Sequence, residues 1–415
     1  MAMIIKRDYY LQQLISSKSN NLIKIVTGIR RSGKSFLLFN LFHNHLIETG
    51  ISEDHIIEIA LDDRLNKNLR DPDVILQHIH ERIVDDKLYY IILDEVQMID
   101  EFTDVLNSLL HIHNADVYVT GSNSKFLSKD VVTEFRGRGD EIHLFPLSFA
   151  ELYNSIGGDK FELWKSYYTY GGLPGILELD SEKKKAAYLR SLHETVYLKD
   201  IIERNNLKNS EEFMELMRVM ASCIGSPCNP SKLENTFKSV KNETLDRKTI
   251  SKYLSYMEDA FLIEKSTRYD IKGRKYIGTL SKYYFQDIGL RNALLNFRQV
   301  EENHIMENVI YNELRLRGFC VDVGMVEART AKERKQLEVD FVANMADRRY
   351  YIQSAFAMPD DDKREQECAS LKRIDDSFKK IIIMRDDIKP YHDNNGFYIV
   401  GLMDFLLKPD LIEQL

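Results

Sequence analysis

The chain has 415 residues, 44% of them hydrophobic and 29% charged, a balance that fits a globular protein of roughly two to four domains and excludes disordered and fibrous classes. The formal net charge of −8 gives no global sign of nucleic-acid binding and leaves only a local patch as a route to it. Cys223, Cys228, Cys320 and Cys368 lack the spacing of a disulfide framework or a zinc site and read as reduced thiols. No apolar leader and no run of about 18 apolar residues is present, so a cytoplasmic protein without membrane contact is expected.

In chain order, Leu22-Ile23-Lys24-Ile25-Val26 reads as a buried strand. It leads into Gly28-Ile29-Arg30-Arg31-Ser32-Gly33-Lys34-Ser35, the spacing G-x-x-x-x-G-K-S, and then into an apolar helix from Phe36 to Phe42. Gly28 and Gly33 let the backbone curl so that successive N–H groups face inward at a helix N-terminus, where they bind phosphate oxygens. Lys34 supplies a cation for the β- and γ-phosphates, and Ser35 offers a hydroxyl to Mg²⁺.

A second strand, Tyr89 to Leu93, ends in Asp94-Glu95, an apolar run closed by two acids. Asp94 is placed to hold Mg²⁺ through water, and Glu95 to polarise the attacking water as general base. A third strand, Asp116 to Thr120, runs into Gly121-Ser122-Asn123-Ser124. Phe135-Arg136-Gly137-Arg138-Gly139 follows; a guanidinium at Arg136 or Arg138 could stabilise γ-phosphate charge, in its own chain or in a neighbour's, or simply face solvent. Glu141 to Phe145 closes the series. The alternation of strands and helices predicts a parallel α/β sheet covered on both faces, with nucleotide at the C-terminal ends of its strands.

These runs, with Ile5-Lys6-Arg7-Asp8-Tyr9-Tyr10, Pro146-Leu147-Ser148-Phe149, Tyr170-Gly171-Gly172-Leu173-Pro174, Tyr197-Leu198-Lys199-Asp200-Ile201 and the stretch from Glu307 to Gly318, resemble a large prokaryotic family. Its members are AAA-superfamily P-loop ATPases related to archaeal ATPases and carry a C-terminal domain of unknown function. The resemblance covers nearly the whole chain and is most specific before residue 150. It implies ATP and Mg²⁺ as ligands. It also implies that the Asp116–Thr120 strand lies between the strands bearing the loop and Asp94, and that Thr120, Ser122 or Asn123 senses the γ-phosphate. The expected nucleotide-binding set is Gly28, Arg30, Arg31, Ser32, Gly33, Lys34, Ser35, Phe36 and Asn123. Ser35 and Asp94 are the expected metal ligands, and Glu95, Lys34, Arg136 and Arg138 the expected catalytic groups.

Residues 150–204 read as helices of a lid-like subdomain following the core at 1–149. In 205–290, an amphipathic run from Phe213 to Cys223 is followed by a short helix with a capping-box pattern at Ser231-Lys232-Leu233-Glu234. A helix from Asp246 to Leu262 comes next, then strands at Ile263–Tyr269 and Lys275–Leu280. Three helices and a hairpin describe a winged helix, a module that often contacts double-stranded DNA. Residues 241–282 hold ten Lys/Arg against six Asp/Glu. Arg247, Lys248 and Lys252 on the third helix and Lys272, Arg274 and Lys275 in the wing would suit phosphates; packing or a protein contact is the competing use.

From about residue 300 to 415, a helix at Glu302–Leu316, strands at Leu337–Ala343 and Arg349–Ala355, a charged helix near Asp361–Arg373 and a strand at Lys380–Met384 give the order α-β-β-α-β. It resembles the PD-(D/E)xK nuclease fold. Asp340 takes the place of its Asp, and Glu313 that of a helix-borne acid. Gln353-Ser354-Ala355 stands where that fold carries E-x-K, so cleavage is expected to be lost. The sequence thus points to an ATPase whose nucleotide state is coupled to DNA or a protein partner. A DNA-binding regulator or defence component using ATP as a switch, and an interaction scaffold, are the alternatives.

Overall fold

Strands buried along their whole length need cover on both faces, and the first third of the chain supplies it. In a computed structural model, which describes residues 5–121, 138–241, 245–329, 334–358 and 360–414, the chain divides into two compact units. The first comprises residues 1–146 with the short segments Leu173–Glu178 and Asp259–Phe261; the second holds the remainder.

The first unit is built on five parallel strands, β1 (Ile23–Thr27), β2 (Ile56–Ala60), β3 (Tyr89–Asp94), β4 (Ala115–Thr120) and β5 (Gly139–His143), in the order β2-β3-β4-β1-β5. The strand ending in Thr120 therefore lies between the loop strand and the Asp94 strand, as the resemblance implies. Successive side chains alternate between faces. Ile23, Ile25, Ile57, Ile59, Ile91, Leu93, Val117 and Val119 pack on one side beneath the helices Pro72–Arg82 and Phe102–Leu109. Val26, Ile56, Tyr90, Ile92, Tyr118 and Ile142 pack on the other with Tyr10, Leu14, Leu37, Leu38 and Phe42. Lys24 interrupts this second face. Its buried ammonium ion-pairs with Asp116, to which the Tyr118 hydroxyl donates at 2.9 Å, so the charge is matched inside the sheet.

The second unit carries an eight-stranded sheet of order β12-β13-β11-β10-β9-β8-β6-β7. Its strands are β6 (Ile263–Asp270), β7 (Lys275–Phe285), β8 (Cys320–Arg329), β9 (Arg334–Met345), β10 (Arg348–Ala355), β11 (Lys379–Met384), β12 (Tyr391–His392) and β13 (Tyr398–Gly401). The helix Glu302–Leu316 sets Ile305, Met306, Val309, Ile310 and Leu314 at helical spacing against Phe341, Ala343, Ile352, Ile381 and Ile383. Phe149 and Trp164, from the helices Phe149–Ile156 and Lys160–Tyr170, enter that same core, and the Trp164 indole N–H donates to Glu302 at 2.8 Å.

Three helices, Ser210–Ser222, Pro230–Thr236 and Arg247–Asp259, precede the antiparallel β6–β7 hairpin, and β6 pairs in parallel with β8. The hairpin is thus continuous with the C-terminal sheet across residues 290–300, where the sequence suggests a boundary. Two local expectations are corrected. The second helix is not opened by a capping box at Ser231: Asn229 is the N-cap, accepting from Lys232 N–H at 2.7 Å, with Pro230 in the first turn. The α-β-β-α-β order also omitted β8, which lies between the helix and β9.

Candidate nucleotide-binding site

The loop from Gly28 to Gly33 bridges the C-terminal end of β1 and the helix beginning at Lys34. Its curl requires left-handed backbone at Gly28 (φ +135°), Arg31 (φ +66°) and Gly33 (φ +99°). At Gly28 the need is also steric, since a Cβ there would lie 2.2 Å from the Leu144 carbonyl oxygen. Arg7 is buried beside the loop. Its guanidinium donates to the carbonyls of Ser32 at 3.2 Å and Phe145 at 2.8 Å and sits 4.6 Å over the Tyr10 ring. The Arg7-Asp8-Tyr9-Tyr10 motif thereby acquires a physical role that the sequence alone did not show: it ties the loop's backbone to the strand of chain after β5.

The Lys34 ammonium curls back over the loop, donating to the carbonyls of Gly28 at 3.0 Å and Ile29 at 3.1 Å. The Ser32 side chain is buried within the loop and its hydroxyl has no hydrogen-bond partner among the described residues. Arg30 is half-buried, while Arg31, Ser35 and Phe36 are exposed.

The exposed Ser35 hydroxyl donates to Asp94 at 2.8 Å, bringing loop and acid together. Thr120 organises the other side: its hydroxyl donates to Asp94 at 2.5 Å and accepts the Glu95 backbone N–H at 2.8 Å. Of the residues offered as phosphate sensors, Thr120 is therefore engaged with the two acids. Burial raises the Asp94 carboxyl above its ordinary range, and Glu95 and Asp62 add to this, against the hydrogen bonds from Thr120 and Ser35. A hydroxyl and a carboxylate converging in this way are the oxygen donors a Mg²⁺ ion takes. Glu95 holds a left-handed backbone, φ +54°, and its carboxylate accepts from the Gln97 side-chain amide.

At the base of the loop the Thr27 hydroxyl donates to Glu141 at 2.9 Å and lies 3.0 Å from His143 Nδ1. The His143 ring packs on Phe261 at 4.9 Å, and a Cβ on Gly33 would sit 3.9 Å from Pro174 Cγ.

Not every expected residue joins the site. Asn123, Ser122 and Arg136 lie outside the described residues. Arg138 is exposed, and its carbonyl accepts from Ile23 N–H at 2.9 Å. Ile23 starts β1, whereas the loop leaves its far end, four residues or roughly 13 Å along an extended strand. Arg138 therefore does not share an end of the sheet with the loop, which corrects its reading as a phosphate contact within the same chain.

The C-terminal acids are also rearranged. Glu313 is buried against Arg317, whose Nε donates to it at 2.8 Å, and it is not the acid that meets Asp340. Glu307 is. The buried Lys282 ammonium lies 2.7 Å from Glu307, 2.7 Å from Glu338 and 3.8 Å from Asp340, and Ser354 N–H donates to Asp340 at 2.8 Å. Burial, followed by the Glu307 charge, pushes the Asp340 carboxyl up to about 8 against the pull of Lys282. Among the described residues no cluster of three or more metal-ligating side chains is suited to a metal ion. Two of the six cations offered for DNA are already paired, Arg247 with Glu234 at 2.7 Å and Lys272 with Asp375 at 3.3 Å.

A family model described as an AAA domain matches residues 20–153, and one described as a domain of unknown function (DUF8612) matches residues 161–301. An uncharacterized protein of Haemophilus influenzae is 33% identical over 414 residues, covering 98% of this chain and 99% of its own. One of Methanocaldococcus jannaschii is 29% identical over 393 residues, covering 90% and 82%. Among solved structures, the Aeropyrum pernix Orc1 protein in complex with DNA aligns with 71% of this chain and 93% of its own, at 12% identity and a TM-score of 0.30. No helix among the described residues is long and apolar enough to cross a membrane. With the phosphate-binding loop, its acid pair and the parallel sheet in place, the chain carries an AAA domain over residues 20–153 and belongs to the same family as the Haemophilus influenzae protein.

Proposed function

We propose that this protein binds and hydrolyses ATP and that its nucleotide state is passed to a DNA or protein partner. The observation that carries the reading is the Ser35–Asp94–Thr120 chain of hydrogen bonds, which sets the loop against an acid pair at the C-terminal ends of parallel strands. The loop's N–H groups and the Lys34 ammonium would bind the phosphates. Ser35 and Asp94 would hold Mg²⁺, which neutralises phosphate charge when bound. Glu95, oriented by Gln97 and by Thr120 through its own backbone, would accept the proton of the attacking water. The nuclease-like reading of the C-terminal unit is proposed without cleavage, because Gln353 and Ala355 stand at the acid and lysine places and Lys282 already sits among the carboxylates.

The coupling is supported by two short segments of the first unit. Pro174 lies beside Gly33, and Phe261 packs on His143. Phe261 keeps a left-handed backbone, φ +55°, unusual for a bulky residue. Both segments belong to stretches of chain that otherwise build the second unit, so a shift at the loop or at Thr27 has a covalent route onward. For duplex DNA, the exposed Lys248, Lys252, Arg274 and Lys275 remain the proposed phosphate contacts.

Lys34→Ala should weaken ATP binding by about 100-fold or more, the loss of charge-assisted hydrogen bonds. Titration of the purified variant with a fluorescent ATP analogue measures this; undiminished affinity would remove the basis of the assignment.

A further inference from the structure

We infer that the second unit carries a binding cleft of its own for a nucleotide, one that takes an aromatic base and a phosphate group together. The cleft is open to solvent along much of its length and offers about 530 Å³, a volume ordinary for small-ligand sites. Tyr168, Tyr170 and Phe297 give it aromatic walls, and Lys165, Lys183 and Arg190 bring three cations against the single acid Glu182. Those three cations are exposed and form no ion pair among the described residues.

The walls are fixed from behind. The buried Asn292 amide donates to the carbonyls of Tyr168 and Thr169, both at 2.9 Å, holding the end of the helix that bears the tyrosines. The neighbouring Arg291 is buried and donates to the carbonyls of Ala221, at 2.8 Å, and Gln299, pinning the segment beyond Leu294. Within that segment Asn296 and Phe297 both hold left-handed backbone, φ +51° and +58°. Such strain at a phenylalanine persists only where the surroundings impose it. Its result is a Phe297 ring 6.0 Å from Tyr170, tilted by 52°, lining a cleft rather than closing a core.

Arg190 and Asn296 also border a smaller inner cavity of about 50 Å³, together with His193, Arg218 and the acid Glu194. His193 is buried and its Nε2 has no hydrogen-bond partner among the described residues. Burial and then the Arg218 charge depress its pKa to about 4, so the ring is neutral near pH 7. The Arg190 guanidinium, with Arg218 (itself 3.8 Å from Glu215) and an imidazole nitrogen unpartnered among the described residues behind it, matches at the end of an aromatic cleft an oxyanion attached to a planar ring. The base would stack on Tyr170 and Phe297, and the phosphate would meet Arg190 with Lys165 or Lys183. A duplex does not offer an unstacked base, so the source is a free nucleotide or a single strand.

The test uses the full chain carrying Lys34→Ala, which removes the phosphate-binding loop as a competitor and keeps this inference separate from the ATPase reading. Titration with AMP and with a short oligothymidylate would be followed calorimetrically and by the fluorescence of Trp164, whose ring lies 5.5 Å from Tyr168. Binding is expected, with a loss of roughly tenfold in Arg190→Glu and in Phe297→Asn. Asparagine tolerates the left-handed backbone while deleting the ring. Lys184→Glu, on the same helix but outside the lining, should leave affinity unchanged. Tighter binding of AMP would identify a free nucleotide as the ligand, and tighter binding of the oligonucleotide a strand. No binding of either probe, or affinity indifferent to both Arg190→Glu and Phe297→Asn, would overturn the inference.

Discussion

Gly28 shows how narrow the tolerance of the phosphate-binding loop is at the level of one atom. A methyl group there meets the Leu144 carbonyl oxygen at 2.2 Å, on backbone with φ +135°. Gly28→Ala should cost about 1–3 kcal/mol in strain alone and reduce ATP affinity; equal thermal stability and equal affinity would show that the loop can relax around it. The Asp340 carboxyl yields a pH prediction. Its pKa rises from 3.8 to about 8 on folding, so between those values the folded state binds the extra proton. The stability this contributes is complete below about pH 4 and is lost as pH rises through 8. Urea denaturation followed by the fluorescence of Trp164, the chain's single tryptophan, should show stability falling from pH 5 to 8. Asp340→Asn should reduce that slope, and an identical slope in the variant would contradict the assignment.

Among elements, those carried by long apolar runs were legible before the structure. The strands ending at Thr27, Asp94 and Thr120 read as buried because, apart from Lys24 and Asp116, every residue in them is apolar or closes the strand with the polar group the site uses. Lys24 and its partner Asp116 were not legible as a pair: the resemblance implied that β4 lies beside β1, but not the register, with Lys24 opposite Tyr118, that brings Asp116 within its reach. β8 was missed because Asp322, Gly324 and Glu327 break its apolar character, and its partner strands supply the burial. The helix Glu302–Leu316 was found with its ends correct, but not the face that meets β9. Glu307 and Glu313 stand six residues apart, so they point about 120° apart around the helix, and only one of them reaches Lys282. Trp164 ties the helix Lys160–Tyr170 into the same core. Trp164→Ala should destabilise the second unit by about 3–5 kcal/mol; circular dichroism during denaturation measures it, and a loss below about 1 kcal/mol would show that this helix is not part of that core.

For the whole molecule, a net charge of −8 leaves any DNA affinity to local patches, and the pairing of Arg247 and Lys272 with acids thins the patch proposed for duplex. Nucleotide chemistry is better supported, because loop, hydroxyl, acid pair and sheet converge at one end of the first unit. The most direct test of that account is Mg²⁺-dependent ATP turnover by the purified wild type and by Glu95→Gln. The account predicts turnover by the wild type, lowered roughly 10²–10⁴-fold in the variant while ATP binding is retained. Turnover unchanged by Glu95→Gln, or a wild type that binds ATP without hydrolysing it, would contradict it.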